Sequence, residues 1–216
     1  MEGYGFTIIR GNTKMLRSLS HIGRLAMVAA FVLPLVVLAL PATAQQAIAP
    51  AEPQPKGDAL KPGLGVNYHF TLVRTIHQLL RYAEPRKGDI GKPLPQLNYH
   101  TGYGNTLTTK RNIGVGAKIY GFIKFDKPGV YQLKVHSNDG VRLSLAGKQV
   151  FEDGEVHSDE MSDPIPVKVD KPGWCSVLIW YFQRKGTATL ELYWQPPGSD
   201  KSVLVPATAF AHLPAN

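Results

Sequence analysis

From residue 117 onward the chain is written in alternating apolar and polar residues. In VYQLKV, Tyr131, Leu133 and Val135 share one parity, against Gln132 and Lys134 on the other. In VRLSLA, Val141, Leu143 and Leu145 oppose Arg142 and Ser144, and in TATLELYW the residues Ala188, Leu190, Leu192 and Trp194 fall together. A period of two belongs to the β-strand, whose successive side chains point to opposite faces, so each segment has one face for a core and one for water. KIYGFIKF and PIPVKV add two strands, while WCSVLIWYF is apolar on both faces and belongs at the centre of a sheet. The turns carry their own chemistry. Asp126-Lys127-Pro128-Gly129 recurs as Asp170-Lys171-Pro172-Gly173, each between two strand patterns. Proline presets φ at the second turn position and glycine accepts positive φ, so both tetrapeptides are expected to close hairpins. Gly147-Lys148 fits a two-residue hairpin with glycine first. The fold class that follows is all-β: a single antiparallel β-barrel or sandwich.

Upstream, FTLVRTIHQLLRYAEP places Leu72, Ile76, Leu79 and Leu80 on one helical face, and Pro85 stops it, which predicts one short helix over 71–82. The stretch from Arg86 to Gly116 is rich in Gly, Pro and Asn and is expected to be mainly loop with short strands. The N-terminus reads as an export signal. Lys14, Arg17 and Arg24 precede a 16-residue apolar run, Leu25 to Leu40, and Ala42-Thr43-Ala44 follows. A membrane-spanning helix needs about 20 apolar residues, so the pattern favours a signal region over residues 1–44, with cleavage after Ala44 and a start at Met15. Residues 45–62 are rich in Ala, Pro and Gln and read as a flexible linker. The domain then runs over 63–213, with no membrane span in the mature chain. Losing four basic residues and one acidic residue with the signal leaves 20 against 15, a net charge of +5 instead of +8. That excess suits acidic envelope polymers, and export argues against nucleic acid. The sole cysteine, Cys175, lies in an apolar strand and is expected to be a buried, inert thiol.

Motifs of catalysis are missing. The sequence has no nucleophile elbow, no paired histidines at helical spacing and no phosphate-binding glycine loop, so the chain reads as a non-enzyme. Six carboxylates crowd residues 152–163, Glu152, Asp153, Glu155, Asp159, Glu160 and Asp163, without the spacing of a calcium loop. They read as a solvated surface loop. Among the aromatics, Tyr99 and Tyr103 lie in the loop-rich segment and are the candidates for stacking on sugar rings, while those on strands are expected in the core.

Several stretches in order resemble one family. Gly63-Leu64-Gly65-Val66-Asn67-Tyr68 is similar to the opening of the protective-antigen-type (PA-fourteen) β-barrel domain, and YGFIKFDKPGVYQLKVHSNDGVRLSLAGKQV to its central signature. LIWYFQRKGTATLELYWQPPG resembles its late hairpin and VPATAFAHL its closing segment. The resemblance implies a β-barrel often used as a noncatalytic carbohydrate-binding module. In the fungal adhesin branch, two adjacent aspartates joined by a cis peptide and a later asparagine hold a calcium ion that contacts the sugar. Here those positions fall on Asn138, Asp139 and Gln183, with Gly140 completing the turn. One carboxylate is thereby exchanged for an amide, which implies weak calcium binding at Asn138 and Asp139. The expected function is a secreted, noncatalytic module, periplasmic or extracellular, binding an envelope or extracellular glycan. The alternative is a structural barrel of the envelope, with a protein partner and no sugar site.

Overall fold

The computed structural model describes residues 46–214. The signal region expected over 1–44 lies outside the described residues. In chain order the elements are β1 (Gln46–Ile48), β2 (Lys61–Pro62), β3 (Gly65–Phe70), α1 (Ile76–Ala83), β4 (Asp89–Ile90) and β5 (Asn98–Gly102). They continue with β6 (Val115–Phe125), β7 (Gly129–Asn138), β8 (Val141–Leu145), β9 (Lys148–Asp153), β10 (Glu160–Met161) and β11 (Ile165–Val169). The last are β12 (Gly173–Gln183), β13 (Ala188–Gln195), β14 (Val203–Leu204), a single 3-10 turn (Ala207–Ala209) and β15 (Phe210–His212).

These strands form two sheets. A seven-stranded sheet runs β1-β11-β7-β13-β14, with β10 on β7 and β5 on β13. An eight-stranded sheet runs β2-β15-β6-β12-β8-β9, with β3 on β6 and β4 on β3. No ladder joins the two among the described residues, so the fold is a sandwich and not a closed barrel. The period-two pattern gives the same inner face in either architecture; closure is decided by pairing of the outer strands, which the pattern does not encode. Every pairing is antiparallel except β1 on β11. The alternating residues behave as expected. Tyr131, Leu133 and Val135 from β7, Leu143 and Leu145 from β8, and Leu190, Leu192 and Trp194 from β13 meet in one buried cluster between the sheets. β12 lies between β6 and β8, as its apolar run implies.

The turns differ from the expectation. β6 and β7 belong to different sheets, as do β11 and β12, so both Asp-Lys-Pro-Gly turns carry the chain from one sheet to the other. Each ends in a glycine of positive φ, +128° at Gly129 and +147° at Gly173. The corners stand side by side, because β6 pairs with β12 and β7 with β11. The hairpin β8–β9 turns through Ala146 (φ 49°) and Gly147 (φ 75°) rather than Gly147-Lys148. Two consecutive positive φ values are the mark of a type I′ turn, whose twist matches that of the strands.

The helix begins later than the apolar spacing predicts. Thr75 caps it by accepting from Gln78 N, and Gln78 Oε1 accepts from Arg74 N, a near-capping-box arrangement. Leu72 is left outside and 64% exposed. Ile76 and Leu79 pack with Phe182 in a small second cluster on the outer side of the eight-stranded sheet. The segment expected as a linker is attached to the domain. Ile48 is fully buried, β1 pairs with β11, and the Gln54 side chain exchanges hydrogen bonds with the Trp174 backbone in both directions. Three paired residues and one apolar anchor are too short a signal to stand out in an Ala/Pro-rich stretch.

Candidate functional site

Where β7 gives way to β8, the chain turns through Asn138, Asp139 and Gly140, and the Asn138–Asp139 peptide is cis. Gly140 is required by space: a Cβ there would overlap the Phe182 ring and the Gly154 backbone. Phe182 N donates to Gly140 O at 3.0 Å, fixing the turn to the end of β12. Asn138 is held from two sides: the Tyr181 hydroxyl donates to its carbonyl at 2.6 Å, and its Nδ2 donates to Thr187 Oγ1 at 2.8 Å. The Asp139 carboxylate accepts from Arg184 N at 2.7 Å and faces the ring and backbone N–H of His157. Asp139 is 1% exposed. Burial pushes its carboxyl above the usual carboxylate range, against the lowering effect of the Arg184 and His157 backbone N–H groups and of nearby positive charge.

Gln183 ends β12, one residue before Arg184. It is fully buried, its Nε2 reaches Gly186 O at 3.4 Å, and its Oε1 has no hydrogen-bond partner. A buried carbonyl oxygen without a partner costs free energy, and a cation would satisfy it. Asp139 is thus tied to the residue after Gln183, and the side chains of Asn138, Asp139 and Gln183 offer oxygen donors with a single negative charge. That donor set fits a hard cation such as calcium, which takes about six to eight oxygens and binds more weakly as ligand charge falls.

The acidic stretch 152–163 is only partly the solvated loop that its composition suggests. Glu152 pairs with Arg142, Asp153 lies 3.5 Å from His157, and Glu160 and Met161 pair with β7 as β10. His157 thereby covers Asp139, a contact that no spacing rule announces.

The two tyrosines do not join this rim. Tyr99 sits opposite Leu190 on the inner face of β13, packs against the core, and its hydroxyl is pushed up to about 12 by burial. Inward parity overrides its loop-like surroundings. Tyr103, just past β5, is 79% exposed.

A second feature lies on the outer face of the eight-stranded sheet. The register aligns Asn67, Lys118, Trp180 and Arg142 in one row across β3, β6, β12 and β8. Beside this row, Tyr120 lies over Gly65, where any Cβ would strike its ring. Arg86 and Lys87 close the far wall of a groove of about 690 Å³. Lys118 Nζ stands 5.7 Å from the centre of the Trp180 ring. His69, also on this wall, is pulled below its ordinary value, first by burial and then by Lys118. The sequence reading assigns Trp180 to the core. Its parity in β12, shared with Ser176 and opposed to Val177, Ile179 and Tyr181, was the signal for an outward position.

Two facing sheets joined by corner turns, with one short helix on an outer face, define a β-sandwich domain. Residues 102–207 match the family model described as PA14 domain, and the PA14 family is recognised in that part of the chain. Solved structures agree on the fold. The PA14 domain of the MpAFP antifreeze protein superposes with a TM-score of 0.61 at 13% identity, over 75% of this chain and 96% of that one. The PA14 sugar-binding domain from an RTX adhesin gives 0.57 at 18%, over 70% and 98%. The Epithelial Adhesin 9 A domain from Candida glabrata, in complex with Galb1-4GlcNAc, gives 0.58 at 11%, over 78% and 96%. No curated protein sequence matches the chain.

Proposed function

We propose that this protein is an exported, noncatalytic carbohydrate-binding module whose ligand is a glycan bearing acidic groups. The observation that carries the proposal is the outer groove, where Trp180 and Tyr120 sit among Lys118, Arg86, Lys87 and Asn67. Aromatic faces stack on the C–H faces of sugars, amide groups hydrogen-bond hydroxyls, and fixed cations attract carboxylate or sulfate substituents. Neighbours of the same fold that bind sugars, the RTX adhesin domain and the Candida glabrata adhesin, support the class of ligand. In this reading the rim of Asn138, Asp139, Gly140 and Gln183 is a weak calcium site that stiffens the loops. The buried state of Asp139 makes the groove, not the rim, the open surface for a sugar.

A glycan array probed with and without calcium tests this. The expected result is retention of acidic glycans in both conditions, reduced about tenfold by Trp180→Ala and left intact by Asp139→Ala. An array on which the intact protein retains nothing would sink the proposal. It would favour an envelope scaffold instead, for which the apolar groove of about 470 Å³ between Pro62, Pro93, Pro95, Trp174 and Phe210 would serve a protein partner.

A further inference from the structure

The outer face of the seven-stranded sheet holds a cluster that neither the calcium rim nor the sugar groove uses. β7, β13 and β5 are neighbours, and their register sets Glu191 directly opposite His136, while His100 stands one pair along, opposite Thr189. Residues two apart on a strand share a face, so all three side chains rise from the sheet together. One ligand atom from each lies within 4.8 Å of the others. His136 Nδ1 is 2.8 Å from Glu191 Oε2, and the same oxygen accepts from the Tyr193 hydroxyl at 3.1 Å. His100 Nε2 lies 3.8 Å from Asp159 Oδ2. The two imidazole rings are tilted, 5.8 Å apart between centres.

We infer that His100, His136 and Glu191 form a binding site for a divalent transition metal ion, zinc above all, with Asp159 as fourth ligand. Two imidazoles, which are borderline donors, together with carboxylate oxygens suit zinc, whereas calcium takes oxygen alone. Zinc bonds of about 2.0–2.2 Å in a tetrahedron place donors about 3.3–3.6 Å apart. The separations of 2.8 Å and 3.8 Å bracket that value, so small side-chain rotations seat the ion. A further polar atom on this face points the same way. Thr189 is 1% exposed and its Oγ1 has no hydrogen-bond partner. It lies two residues before Glu191 and opposite His100, where a water on the metal would satisfy it. Glu191 is also a buried carboxylate on an outward strand position, beneath the loop that carries Asp159. The Tyr193 hydroxyl bond orients that carboxylate, the role that outer partners of metal ligands perform. Binding uses neutral imidazole, with the His136 proton on Nε2 when Nδ1 holds the ion, so affinity falls in acid.

The test is calorimetric titration with zinc of the protein carrying no polyhistidine tag, after chelator treatment, alongside cobalt titration followed by visible absorption. The expected result is one ion per chain and the intense visible bands of tetrahedral cobalt. Affinity should drop at least about tenfold in His100→Ala and in His136→Ala, and stay unchanged in Asp139→Asn and in His157→Ala. His100 is exposed, so its variant keeps the fold, and thermal melting of each variant without metal checks this. No binding by the intact protein would overturn the inference. So would binding that survives both histidine variants, or binding lost only in His157→Ala, which would place the ion on Asp153, His157 and Glu160 instead. The outcome is independent of the glycan array, since neither Trp180 nor Lys118 touches this face.

Discussion

Asp139 joins two effects whose balance pH can read. Burial raises its carboxyl, so the folded chain holds that proton more tightly than the unfolded chain does. Where the folded value lies above the unfolded one, the folded state binds more protons through the window between them. The stability contribution of Asp139 therefore declines as pH rises from the ordinary carboxylate value through the raised one, and is flat below and above. Asp139→Asn should remove that decline from a denaturation series between about pH 3 and 7; an unchanged profile would assign the slope to other carboxylates. Cys175 gives a second residue-level expectation. Its thiol is fully buried and pushed up to about 11, so the thiolate that reacts with disulfide reagents is scarce at neutral pH. A chromogenic disulfide should label it only after denaturant is added, and rapid labelling of the folded protein would contradict its placement. Both residues were legible in the sequence as to kind, an acidic turn residue and a thiol in an apolar strand. What was not legible was the lid over Asp139: His157 reaches it from 18 positions along the chain, and no local pattern carries that contact.

Elements were readable where one residue dominates the geometry and ambiguous where partners decide. The strands β7, β8 and β13 follow their parity because a one-residue slip would turn every leucine to water. The two Asp-Lys-Pro-Gly turns show the limit. Proline and glycine dictate the bend, yet whether the next strand pairs with the last or crosses to the other sheet depends on long-range pairing. The β8–β9 turn is a case where local chemistry is imperfect. Ala146 sits at φ 49°, a left-handed conformation that its Cβ resists. Ala146→Gly should raise stability by up to about 1 kcal/mol in urea denaturation, and a loss of stability would show that its methyl group matters more for packing. β1 carries the opposite lesson, an element hidden in a stretch of linker composition. Ile48 fills the core beside Val167 and Val169 of its partner strand. Ile48→Ala should therefore cost about 2–5 kcal/mol. A neutral effect on the melting curve would return residues 45–62 to the status of a tether.

At the scale of the whole molecule, charge is distributed unevenly, and this yields a test that separates attraction from stacking. Six carboxylates crowd residues 152–163, in β9, β10 and the loops beside them, while Lys118, Arg86 and Lys87 gather, with Glu84 as the one carboxylate among them, at the groove on the outer face of the eight-stranded sheet. Core and strand faces were legible because burial acts on every alternate residue. The groove was not, because it is made by four strands in register and a helix end, none of which marks it alone. A polyanionic chain approaching that groove releases counterions from itself as lysine and arginine neutralise its charges, so its apparent affinity falls steadily with salt. Stacking on Trp180 involves no net charge and is worth about 0.5–1.5 kcal/mol, a few-fold to about tenfold in affinity, at any salt concentration. Two variants therefore behave differently against an acidic polysaccharide measured from about 0.05 to 0.5 M salt. Lys118→Gln with Arg86→Gln should weaken binding most at low salt and flatten the dependence of log affinity on log salt. Trp180→Ala should lower affinity by a similar factor throughout and leave the slope untouched. If the basic double variant keeps the slope of the intact protein, the cations that bind the polymer lie elsewhere on the surface and the groove is not its site.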